Sequence, residues 1–174
     1  MAFHQAGTIF LKASLVAIGS FDGVHKGHQA LILKMVEKSK QLGVPSVIYT
    51  FDPPPRVYFK KGIEITSIKE KVKRIRSLGV DYVIVAHFDD HYLNRSVYSF
   101  ITELLSLHPL EVFVGNDFRF GKDRGGTIGD LKEYFRVRVI EKVCCDKGKV
   151  ISSTRIRELI LNGKKNEAQK LLNW

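Results

Sequence analysis

Leu15-Val16-Ala17-Ile18-Gly19-Ser20-Phe21-Asp22-Gly23-Val24-His25-Lys26-Gly27-His28 changes character partway along, and the fold is decided by that change. Four continuously apolar residues come first, as in a strand buried on both faces of a parallel sheet. A glycine-rich turn follows. From about Gly27 to Leu42 apolar residues return at helical spacing, as Leu31, Ile32, Met35, Val36 and Leu42. Strand, turn and helix in that order form the first half of a βαβ unit.

The alternation continues outward from this stretch. Val47-Ile48-Tyr49, Tyr82-Val83-Ile84-Val85, Val112-Phe113-Val114 and Val137-Arg138-Val139-Ile140 read as further strands. Between them, Ile68, Val72, Ile75 and Leu78 form one helical stripe, and Val97, Phe100, Ile101, Leu104 and Leu105 another. No repeat or linker interrupts the chain, so residues 1–174 are expected to form a single α/β domain. Its fold is expected to be a doubly wound, mainly parallel, Rossmann-like sheet with helices on both faces. Ligands of such sheets bind beyond the carboxyl ends of the strands, so the loops that follow strands are where chemistry is sought.

The 174 residues are 44% hydrophobic and 26% charged, with 14 Gly and 5 Pro, which excludes collagen-like, low-complexity and disordered classes. No apolar run approaches the roughly 20 residues that cross a bilayer. The opening MAFHQAGTIFLK lacks the basic start and long apolar stretch of a secretory signal, so a cytoplasmic location is expected. The only two cysteines, Cys144 and Cys145, are adjacent; they read as reduced thiols and cannot supply a zinc ribbon. A net charge of +10 suits an anionic partner and by itself leaves nucleic acid, acidic lipid and nucleotide phosphates open. The basic clusters at 60–62, 69–76 and 163–165 read as solvated helix faces and loops.

Two segments carry phosphate chemistry. In Gly19 to His28, glycines let backbone approach a ligand, and two histidines three apart lie on one face of a helix start. Free amides and the helix dipole already favour an anion there. Two imidazoles, one of them able to carry a positive charge, complete a cradle for a triphosphate. The dinucleotide pattern GxGxxG is absent, and the P-loop fails because Asp123 follows Gly121-Lys122. Zinc at His25 and His28 lacks a third ligand nearby. Either histidine alone would read as a cap or a solvated residue. The second segment, Ile151-Ser152-Ser153-Thr154-Arg155-Ile156-Arg157, opens a helix with natural capping hydroxyls.

His25-Lys26-Gly27-His28 resembles the HxGH signature of the nucleotidyltransferase superfamily, and Ser152 to Arg157 is similar to its SSTxxR element. With Thr50-Phe51-Asp52-Pro53-Pro54-Pro55 and Val114-Gly115-Asn116-Asp117-Phe118-Arg119-Phe120-Gly121 between them, the ordered set resembles the adenylyltransferase module of the bacterial bifunctional riboflavin kinase/FAD synthetase family over roughly residues 12–162.

That resemblance implies transfer of AMP from ATP to FMN, giving FAD and pyrophosphate with Mg²⁺. It implies an ATP side at Gly19, Phe21, Asp22, Gly23, His25, His28, Ser153, Thr154 and Arg157, with His25, His28 and Arg157 catalytic. It implies a flavin side at Pro53, Pro55, Asp117, Phe118 and Phe120, although core packing remains the other reading of the two aromatics. Metal ligands are unassigned among Asp22, Asp52 and Asp117. Pro54 departs from the family pattern, which commonly has His there, and so removes a ring donor. Only 17 residues follow Arg157, so the family's kinase β-barrel is expected to be absent, and FMN to come either from a separate riboflavin kinase or from a kinase half of a longer chain. Neither a membrane nor a nucleic acid is expected as partner. The rival readings are another HxGH transferase with a non-flavin acceptor, and a catalytically silent, basic nucleic-acid-binding domain.

Overall fold

Alternate side chains of Ser14–Ile18 enter opposite faces of one sheet, which is why that short run needs no polar side. Leu15 and Ala17 join the layer beneath two helices, while Val16 and Ile18 join the layer on the other face. The computed structural model describes residues 3–146 and 148–174. In chain order the strands are β1 (His4–Gln5), β2 (Ser14–Ile18), β3 (Ser46–Asp52), β4 (Tyr82–His87), β5 (Pro109–Gly115) and β6 (Val137–Ile140). The helices are α1 (Lys26–Leu42), α2 (Pro55–Tyr58), α3 (Ile68–Ser77), α4 (Asp90–Leu93), α5 (Val97–Leu105), α6 (Ile128–Lys132), α7 (Ser153–Leu161) and α8 (Lys165–Leu172).

All pairings are parallel, in the order β1-β4-β3-β2-β5-β6, with Ile18 beside Tyr49 and Ala17 beside Phe113. The doubly wound expectation holds. From β2 the chain moves outward through β3 to β4, then returns to place β5 on the other side of β2. The crevice at that reversal, past the ends of β2 and β5, is where such a sheet takes a ligand. The two-residue β1 was not expected, since a strand that short has no periodicity to read.

Ile32, Met35 and Val36 of α1 and Val72 and Ile75 of α3 cover one face; Phe100, Ile101 and Leu104 of α5 and Leu131 of α6 cover the other. Each such side chain contributes roughly 1.5–3 kcal/mol on leaving water. His25 caps the start of α1, and Gly43, in the left-handed region at φ 65°, ends it. A third apolar cluster joins Ile156 of α7 to Ala168, Leu171 and Leu172 of α8, with Ile65 packed against it. This cluster brings the carboxyl-terminal helices back to the crevice.

Candidate active site

The loop between β2 and α1 is held by its carbonyl groups. Ser20 O accepts from Thr50 Oγ1 at 2.9 Å and Lys71 Nζ at 3.3 Å. Asp22 O accepts from Ser153 Oγ at 2.9 Å, and Gly23 O from Arg74 Nη1 at 3.1 Å. Val24 O accepts from Gln29 Nε2 and from the Trp174 indole, each at 2.8 Å. Phe21 and Val24 are held at φ 47° and 43°, conformations that cost of order 1–3 kcal/mol unless the surroundings impose them. At Gly23, φ 81°, a Cβ would lie 2.9 Å from Leu172, so only glycine fits.

Within that frame Asp22 is fully buried. Its carboxylate accepts from the Ile65 and Thr66 amides, each at 3.2 Å, and is ion-paired with Arg157 Nη2. Arg157 also donates through Nε to Ile63 O at 2.7 Å. The first loop and the amino end of α7, far apart in sequence, therefore meet at Asp22. Ser152 caps α7 by accepting from the Arg155 amide, which leaves Ser153 and Thr154 in its first turn beside the loop.

His25 is the N-cap of α1: its Nδ1 accepts from the His28 amide at 3.4 Å. An imidazole that accepts at Nδ1 carries its proton on Nε2, and so presents a donor outward. The two rings stack with centroids 3.6 Å apart, and Phe21 meets His28 edge-on at 5.1 Å. Burial lowers the His25 pKa to about 4. Burial first, then the charges of His25 and Lys71, holds His28 well below its ordinary range. Both imidazoles are therefore neutral at pH 7, so neither carries the positive charge that the sequence allowed for one of them. His28 Nδ1 is buried and has no hydrogen-bond partner among the described residues.

The expected flavin residues are split between two places. Pro53 and Pro54 form the turn between β3 and α2 and Pro55 opens α2; Pro54 is buried and Pro53 and Pro55 are half-buried. Asp117 is exposed and Phe118 half-buried in the turn after β5. Phe120 lies in the core, 4.9 Å from Phe100, with Phe118 stacked on it at 5.7 Å. Both turns follow strands adjacent to β2. A chain of rings, Phe51, Tyr49, Phe100, Phe120 and Phe118, runs beneath them at spacings of 4.9–5.7 Å.

The expectation of solvated basic faces holds at 69–76 for Lys69, Lys73 and Arg76, which are exposed, and fails for Lys71 and in part for Arg74. Lys71 is 0% exposed and donates to Phe51 O at 2.7 Å as well as to Ser20 O; Arg74 lies against the Trp174 ring at 5.4 Å. A signal was present: Lys71 stands three after Ile68 and four before Ile75, on the apolar stripe itself. Gln29, Thr50 and Thr66 carried no comparable signal. As for a metal, no three His, Cys, Asp or Glu side chains gather to hold one among the described residues, and Asp22 is already committed to Arg157 and two amides. The donor set does not form a protein cage for Mg²⁺.

A family model described as FAD synthetase matches residues 9–155. A Listeria monocytogenes protein named bifunctional riboflavin kinase/FMN adenylyltransferase is 35% identical over 92% of this chain and 54% of its own length. The chain thus spans about half of that relative, whereas it is 50% identical to a Geobacillus thermodenitrificans protein across 100% of this chain and 98% of that one. Among solved structures, a Streptococcus pneumoniae protein described as a macrolide-efflux protein superposes with a TM-score of 0.80, at 32% identity, over 93% of this chain and 57% of that one. No helix among the described residues is long and apolar enough to cross a membrane.

Proposed function

The chain belongs to the FAD synthetase family, whose reaction is the adenylylation of FMN to FAD, and we propose that it performs this transfer in the crevice between Gly19–His28 and the start of α7. The observation that carries the assignment of the site is the meeting of those two segments at Asp22.

The attacking group is the FMN phosphate, largely dianionic at neutral pH because its second pKa is about 6, so no general base is needed. One of its oxygens forms a bond to the α-phosphorus of ATP as the bond to the bridging oxygen breaks, and pyrophosphate leaves with that electron pair. The protein must align two polyanions and stabilise the charge moving between them. His25 donates from Nε2, and His28 with the first amides of α1 faces the same phosphoryl group. A bound phosphate favours the protonated form of His28 and works against burial, while His25 stays neutral because its Nδ1 accepts the His28 amide, so binding itself recruits positive charge that the free protein withholds. Ser153, Thr154 and the first turn of α7 receive the leaving pyrophosphate. Arg157 acts mainly by fixing Asp22 and the Ile63 carbonyl, which sets the position of that turn. Mg²⁺ is assigned no protein ligand; it would arrive on the ATP phosphates.

On the flavin side, half-buried Phe118 offers a ring face, with Asp117, Pro53 and Pro55 around it, and buried Phe120 supports it from below. FMN comes from a riboflavin kinase, either separate from this chain or joined to it, and the reaction takes place in the cytoplasm. Incubation with ATP, FMN and Mg²⁺ should yield FAD and pyrophosphate on chromatography. CTP in place of ATP, or riboflavin in place of FMN, should yield no comparable product; turnover of a non-flavin acceptor instead would overturn the assignment.

A further inference from the structure

We propose that Lys71 is a positioning residue for the transfer: its ammonium fastens the triphosphate loop after β2 to the flavin-side turn after β3, so that the two substrates meet along a fixed line. This rests on the function proposed above. Lys71 reaches from α3 across the ends of both strands, donating to Phe51 O at 2.7 Å and to Ser20 O at 3.3 Å. Those carbonyls sit immediately ahead of Phe21-Asp22 on one side and Asp52-Pro53 on the other.

Keeping an ammonium fully out of water costs several kcal/mol, so a fold under no further demand would place an apolar side chain on this stripe. Satisfying Ser20 O is not the reason, because Thr50 Oγ1 already donates to it at 2.9 Å. What Lys71 adds is a positive charge acting on Asp22, Asp52 and Glu64. Asp22 has a second partner in Arg157, whereas Asp52 and Glu64 are not among the described ion pairs. Without Lys71, two strongly negative substrates would approach carboxylates left uncompensated beside the crevice. One ammonium thus ties the loops together and offsets that charge, and misplacement of substrates by about 1 Å is enough to cost on the order of 100-fold in rate.

The test compares Lys71→Met, which keeps the stem and loses charge and donor, Lys71→Gln, which keeps a donor without charge, and Lys71→Arg, which keeps both. The kcat per folded molecule and the KM for ATP and for FMN are measured for each, with near-UV circular dichroism giving the folded fraction. Saturating FMN holds weakly folded variants in the native state. The expected result is a kcat about 100-fold lower for Met and Gln, KM for ATP within about threefold of wild type, and recovery of at least tenfold of the lost rate with Arg. Met and Gln variants whose folded molecules turn over within threefold of wild type would overturn the proposal, as would an Arg variant, folded, that recovers nothing. A wild-type protein that makes no FAD in the same assay would instead overturn the functional reading, and this inference with it.

Discussion

The loop after β2 and the loop after β5 flank the same crevice and are built in opposite ways. The first has four of its carbonyls, those of Ser20, Asp22, Gly23 and Val24, held by side chains from β3, α1, α3, α7 and the chain's last residue. The second is closed largely on itself: the Phe118 amide donates to Gly115 O at 3.1 Å, and Phe120 and Gly126 exchange bonds at 3.2 and 2.8 Å. Its tip residues Asn116, Asp117 and Arg119 are exposed. Phosphate charge is stabilised by donors that need not reorganise, which favours a fixed loop. A flat ring needs chiefly a surface to lie on, and the second loop offers one in Phe118 over Phe120.

The largest expected effect breaks this comparison on the rigid side. His28→Ala removes an imidazole that the proposed mechanism assigns to the transferring phosphoryl and leaves the carbonyl tethers untouched. FMN adenylylation should fall on the order of 10²–10³-fold, with the melting temperature within a few degrees of wild type. A purified variant of near-normal activity would remove His28 from the chemistry.

On the flavin side, stability and binding should separate between the paired rings. Phe120→Ala deletes a ring packed on Phe100 and should cost about 3–5 kcal/mol in denaturant unfolding, lowering ATP and FMN affinity together as the fold loosens. Phe118→Ala should cost less stability and weaken FMN about tenfold, with ATP binding unchanged in titrations. If Phe120→Ala instead weakened FMN alone, the deeper ring would be the one that the flavin touches.

How much of this was legible in the sequence follows from the kind of constraint. Five of six strands and the helices α1, α3 and α5 were readable because buried faces impose a period on the residues that line them. The order of the four motifs placed the crevice. Lys71 was misjudged because composition counts a lysine as solvated, although its place on the Ile68–Ile75 stripe says otherwise. The neutrality of His25 and His28 was out of reach because it depends on burial that only the fold creates and, for His28, on the charges of His25 and Lys71 brought close to it. The pinning of Val24 O by the Trp174 indole joins residues 150 positions apart, and no local pattern records such a bond.

The histidine at the cap gives a pH-dependent handle on the rigid loop. With the folded pKa at about 4 against about 6.5 in the unfolded chain, the unfolded state binds the proton more readily. His25 therefore contributes stability that is fully present above pH 6.5 and lost as pH falls towards 4, on the order of 3 kcal/mol in all. The difference between wild type and His25→Asn in unfolding free energy should trace that loss. At pH 7 the variant should be at least as stable, because asparagine is a good N-cap, while turnover falls about 100-fold. A variant with the wild-type acid slope would place the titration elsewhere.

The smallest effect probes how far the rigidity of the first loop depends on its most distant tether. Trp174→Phe keeps an aromatic ring for Arg74 to lie against but removes the indole N–H from Val24 O, leaving Gln29 as the remaining side-chain donor to that carbonyl. The lost bond is worth about 1 kcal/mol, which for a chain of this length lowers the melting temperature by about 2–4 °C. Because Val24 holds a left-handed conformation directly ahead of His25, loosening it should also lower kcat a few-fold while KM for FMN stays unchanged. If kcat is unaltered while the melting temperature drops as expected, the tether serves the fold alone and the loop's geometry is already fixed by Thr50, Lys71, Arg74 and Ser153.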